Sequence, residues 1–249
     1  MLIDLLNDSA QKISLEKYDL FPLNQLSALY YFIVSNLVDE QTAQNAHKRM
    51  LELFEIINHL DDDIEGSGIE LVYNKPTTWQ ISQQFSSPID MVYFQTAPLL
   101  STFTKHYQQK LKNKERFDQY EMLMLIQIIS SDAFLYSALV KDVLKEKSFK
   151  GLDYFLYLVQ QANDILDDLY DMKDDYEANQ PNFWLISQHF TKDPEEGRML
   201  LNERMDFYAS EIAKIPMDEK IAPTKEIISI FKQMGNDFFD NQAKKKSSA

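Results

Sequence analysis

Residues 158–175 read LVQQANDILDDLYDMKDD, and this stretch decides how the chain is read. Ile165, Leu166 and Leu169 recur at helical spacing, so one side of a helix is apolar and predicted to be buried. Asn163, Asp167 and Asp171 follow one another at four-residue intervals, each about 40° further round the helix, so they share a face. Asp164 and Asp168 form a stripe beside them. Like charges one turn apart repel by a few tenths of a kcal/mol per pair, and Asp is a mediocre helix former. A solvated acidic face accounts for Asp174 and Asp175. For Asn163, Asp164, Asp167 and Asp171 it accounts less well, because a neutral amide oxygen in line with carboxylates is a donor set that suits magnesium.

Outward from that helix, the apolar spacing stays helical. The pattern predicts helices over about 23–38, 45–63, 89–112, 116–145 and 150–177, the last closed by Asn179-Gln180-Pro181-Asn182. Asp193-Pro194 opens another, with Asp as the cap and Glu195 and Glu196 in the first turn, where their charge favours the helix dipole. A final helix is expected over about 224–239. Residues 65–79 hold two glycines and a proline and read as a loop. Nothing alternates with period two for long enough to make a sheet. The expectation is all-α: one helical domain over residues 1–240, a bundle of about eight helices around a central core or cavity, and a flexible tail over 241–249.

Composition bounds the function. The 249 residues are 45% hydrophobic, enough for a substantial core, and carry a formal charge of −14, which works against nucleic-acid binding. No cysteine is present, which excludes disulfides, thiolate metal sites and a cysteine nucleophile. The acidic start MLIDLLNDSAQK does not read as a signal peptide, and no uninterrupted apolar run approaches a membrane span, so a cytoplasmic protein is expected.

A second acidic cluster, Asp61-Asp62-Asp63 with Glu65, closes the apolar stripe of Met50, Leu51, Phe54, Ile57 and Leu60. Together the two clusters resemble the paired aspartate-rich motifs of the class I isoprenoid synthases, the superfamily of trans-prenyl diphosphate synthases and terpene cyclases. Asp61-Asp62-Asp63-Ile64-Glu65 resembles DDxxD with glutamate closing it, and Gln160 to Asp167 resembles QxxDDILD with Asn163 in place of the first aspartate. Asn74 to Trp79 resembles the tail of an RRGxPTxH segment.

The resemblance implies an isoprenoid-synthase-like bundle around an apolar cavity. It implies an enzyme of isoprenoid biosynthesis that ionises an allylic prenyl diphosphate through magnesium, typically three ions, for prenyl transfer or chain elongation. Its metal ligands would be Asp61, Asp62, Glu65, Asn163, Asp164, Asp167 and Asp171. Arg116, Lys75 and Lys173 would serve the diphosphate, while Phe54, Ile56, Ile57, Phe134 and Tyr157 would line the cavity. No catalytic base is named. The arginines that prenyl synthases carry after the first motif are absent between Glu65 and Pro76. This keeps two alternatives in view: terpene cyclase-type chemistry on one prenyl diphosphate, and a noncatalytic helical binding or scaffold protein that retains the fold. A homodimer and a peptide or small-molecule acceptor are further partners left open. A di-iron bundle is disfavoured, because no Glu precedes any of the four histidines by three residues.

Overall fold

The computed structural model describes residues 2–12, 23–67, 92–187 and 193–247, and no strand occurs among them. The order is α1 (Leu2–Lys12), α2 (Leu23–Leu37), α3 (Glu40–Ser67), α4 (Val92–Asn113), α5 (Gln119–Ile129), α6 (Ala133–Leu144), α7 (Leu152–Ala178), α8 (Phe183–Ser187), α9 (Pro194–Ala213) and α10 (Ile227–Ser247). The all-helical expectation is met. The loop expected over 65–79 lies largely outside the described residues.

Local chemistry explains where the boundaries differ from the spacing. Helix α3 starts at Glu40, well before the expected residue 45, because Asp39 caps it: Thr42 donates its backbone N–H to Asp39 Oδ1 at 3.0 Å and its hydroxyl to Oδ2 at 2.8 Å. At its other end α3 continues through Asp61, Asp62, Asp63 and Glu65 to Ser67, so the acidic cluster lies within the helix and not at its terminus. Helix α10 likewise runs on from the expected residue 239 to Ser247.

The single run expected over 116–145 is two helices. Asp118 and Glu121 form a reciprocal capping box at the start of α5. From α4, Lys110 donates to both Glu121 carboxylate oxygens at 2.6 Å. At Ser130–Asp132 the chain tightens into one turn of 3₁₀ helix before α6 begins. Ser130 and Ser131 are fully buried there, a place where short hydroxyl side chains compete with the regular helical ladder. Residues Gln119–Lys147 are apolar and long enough, by length and composition alone, to cross a membrane; 61% of their most apolar window is buried inside the bundle.

Helix α7 runs through the interior. Gly151 caps its start at φ +94°, and Asn179 ends it in the left-handed conformation at φ 56°, where the Gln180 N–H reaches back to the Asp175 carbonyl at 2.9 Å. Phe155, Val159, Ala162, Ile165 and Leu166 are wholly buried along it. They pack in one core with Leu29 and Ile33 of α2, Leu53 of α3, Leu139 of α6 and Phe231 of α10.

Candidate functional site: the acidic face of α7

The inner face of α7 carries its carboxylates into the bundle and ties them to the chain itself. Ser130, in the turn between α5 and α6, donates its hydroxyl to Asp164 Oδ2 at 2.5 Å, and Gln160, one turn back on α7, donates to Asp164 Oδ1 at 2.9 Å. Four residues on, Asp168 Oδ2 accepts the backbone N–H of Phe183 at 2.6 Å. Asn182, 0% exposed, joins the rest: its Nδ2 donates to the Asp168 backbone carbonyl at 2.7 Å and to Asp175 Oδ2 at 2.8 Å. Its Oδ1 accepts the N–H groups of Trp184 and Leu185 at 2.8 and 3.2 Å, which caps α8. Trp184 completes the junction by donating its indole N–H to the Ile165 carbonyl at 2.7 Å.

Crowding and burial raise the proton affinity of this face. Burial pushes Asp164 up to about 7 against the lowering effect of hydrogen bonds from Ser130, Gln160 and Asn163. Asp167 is also pushed up to about 7, by burial first and then by the charges of Asp164, Asp171 and Asp175. Asp168 lies well above the ordinary carboxylate range through burial, opposed by the Phe183 N–H. Burial and acidic neighbours raise Asp171 and Asp175 as well. Lys173, two residues on from Asp171, is exposed and pairs with Glu177 at 3.6 Å.

The other expected site residues are spread through the fold. Asn163 is buried, with its Oδ1 lacking a partner, whereas Asp171 is exposed. Asp61, Asp62 and Glu65 lie on α3, but their side chains, like that of Ile56, fall outside the described residues, and Lys75 lies outside them entirely. Arg116 is exposed in the connection between α4 and α5. Phe54 and Ile57 are core residues, with Phe54 against Tyr136 at 4.4 Å between ring centroids. Phe134 instead stacks on Tyr157 at 5.0 Å.

Among the described residues, no group of three or more His, Asp or Glu side chains is arranged to hold a metal ion. This overturns the expectation of a magnesium-dependent enzyme that ionises a prenyl diphosphate, together with its magnesium cofactors and its transferase role in isoprenoid biosynthesis. Terpene cyclase-type chemistry needs the same ions and falls with it. The physical reason lies in the α7 geometry: of the expected ligands, Asp164 is committed to Ser130 and Gln160 within the protein, Asn163 is buried and Asp171 is exposed, while the neighbouring Asp168 is held by Phe183. Sequence reasoning passed over those partners. The signals were the Gln160–Asp164 spacing, the Ser130-Ser131-Asp132 interruption of an apolar run, and Asn182 just after Pro181 in cap position.

Fold and site thus define an all-helical bundle with an internally fastened acidic helix. No protein-family model matches the chain, and no curated protein and no solved structure matches it either.

Proposed function

We propose that the chain is a noncatalytic helical binding or scaffold protein that retains an isoprenoid-synthase-like bundle. The observation that carries this reading is the engagement of Asp164, Asp168 and Asp175 of α7 by Ser130, Gln160, Phe183 and Asn182. Groups used this way hold helices together; they are not displayed to a diphosphate. What supports the fold part of the reading is helical order and the placing of the acidic segments on α3 and α7.

Thermal unfolding with and without millimolar magnesium tests it. A protein that binds no metal in its folded state keeps the same Tm, since only a ligand selective for the folded state adds stability. Asp168→Ala, which removes the acceptor of the buried Phe183 N–H, lowers Tm equally in both conditions. A rise of several degrees with magnesium that Asp167→Asn abolishes would overturn the reading.

A further inference from the structure

We propose that the face of α7 from Asn163 to Asp171 binds a short linear alkyl diammonium, with one ammonium between Asn163 Oδ1 and the Asp167 carboxylate and the other at Asp171. This gives a ligand to the noncatalytic binding reading and rests on it.

Asp164, Asp168 and Asp175 are held by donors of the chain itself. Asp167 is not: among the described residues it meets neither a hydrogen-bond donor nor an ion-pair partner. It is half-buried, and burial and the charges of Asp164, Asp171 and Asp175 all push it up, so what it lacks is a positive neighbour. The acceptor one turn back is idle too. Asn163 is 1% exposed and hydrogen-bonds to Asp164, which leaves its Oδ1 without a partner beside that carboxylate among the described residues. Gln160, 4% exposed, repeats the arrangement: its Nε2 donates to Asp164 and its Oε1 is unanswered. Buried amide oxygens are ordinarily paired. Two orphaned oxygens close to an unpaired carboxylate make an excess of acceptors, and its complement is a donor that carries positive charge.

An ammonium suits this set where a metal ion does not. A divalent metal needs several oxygen ligands converging on one point, and among the described residues no such group of three His, Asp or Glu occurs. An ammonium offers three separate N–H donors, which neutral amide oxygens and a carboxylate answer equally well. Spacing sets the length of the ligand. Asp171, exposed one turn on, lies about 6 Å along the helix axis from Asp167 at the usual rise per residue. That is the reach between the two nitrogens of butane-1,4-diamine. The chain's formal charge of −14 draws such a dication in.

Butane-1,4-diamine and butylamine are matched probes, differing by the second ammonium. They are titrated calorimetrically into the full chain at pH 8, where Asp164 and Asp167 are ionised, and in about 0.15 M salt, which screens diffuse attraction. The diamine should bind saturably, one per chain, and about tenfold or more tighter than butylamine. Asp171→Asn should bring the two affinities together, and Asp167→Asn should weaken both. Glu203→Gln, at an exposed position on α9, should change neither. The Asn163 side-chain amide resonance should shift along the same saturation curve. Equal affinities in the unaltered protein would overturn the proposal. So would the lack of saturable diamine binding, an Asn163 amide that stays put at saturation, or losses no larger for Asp167→Asn than for Glu203→Gln. Magnesium distinguishes the two failures: a magnesium response through Asp167 removes the noncatalytic reading and this ligand with it, whereas a diamine that fails while magnesium has no effect removes the ligand alone.

Discussion

The Ser130 hydroxyl sits 2.5 Å from Asp164 Oδ2, so the irregular turn that divides α5 from α6 is fastened to the middle of α7. Any account of the acidic helix has to start from that bond, because it converts a carboxylate from a surface charge into an internal acceptor. A hydroxyl donor favours the charged carboxylate, yet burial outweighs it and holds Asp164 near 7. Desolvation wins over the neutral hydrogen bonds from Ser130, Gln160 and Asn163.

The first prediction is a stability that falls as pH rises. Asp164 and Asp167 titrate near 7 when folded and near 3.8 when unfolded, so between those values the folded chain holds the more protons. Unfolding free energy therefore decreases with pH through that window and levels off above it. His47 acts in the opposite sense between its ordinary 6.5 and about 4, but it is one group against two. Tm measured at pH 5.5 should exceed that at pH 8. Asp167→Asn should raise Tm at pH 8 and flatten the profile; an unchanged profile would refute the assignment.

Much of this architecture is legible in the sequence. The α7 span, its stop at Asn179 and the Asp193 cap of α9 follow from spacing and cap chemistry. What the sequence does not display is direction in three dimensions. Asn163, Asp167 and Asp171 share a helical face by arithmetic, but only packing shows Asn163 to be buried and Asp171 exposed. A repeating carboxylate pattern specifies donors for a metal and acceptors for the chain's own N–H and O–H groups equally well. The choice between them rests with Ser130 and Asn182, residues whose partners lie 34 and 14 positions away.

Removing the Asn182 side chain should be costly. Asn182→Ala leaves the Trp184 and Leu185 N–H groups without their acceptor in a buried setting, at about 1–3 kcal/mol for each unsatisfied group. Chemical denaturation should show a lower midpoint with an unchanged slope. A midpoint within error of the parent would contradict the role given to this residue.

At Gly151 the backbone adopts φ +94°, and an added Cβ would lie 3.1 Å from Ile215 Cγ2. Gly151→Ala should therefore destabilise by roughly 1–3 kcal/mol through strain at that φ. Ile215→Ala, which removes Cγ2, relieves the contact but not the backbone strain, so in that background Gly151→Ala should still lower Tm, by less. No further loss in that background would show that crowding alone was responsible.

Glu121 serves the α5 cap and also accepts from His106 and Lys110 of α4, which holds its carboxylate below the ordinary range despite burial. Its contribution is present above its unfolded pKa and lost as pH falls through the folded one. Glu121→Gln should lower Tm at pH 7 by the equivalent of about 1–2 kcal/mol, in line with a weakened cap and a lost charge pair. The deficit should shrink below pH 4; one that persists there would point to packing instead.

The bond between Asn182 and Asp168 closes a loop of only 14 residues, whereas the Ser130–Asp164 bond spans 34. Short loops close at lower entropic cost, so the turn from α7 into α8 can form early, while Asp164 and Asp167 are still hydrated. The penalty for burying their charge then falls after the main barrier. Raising the pH should accordingly speed unfolding while leaving the refolding rate nearly constant, and the acidic face would set how long the native protein lasts more than how quickly it is made.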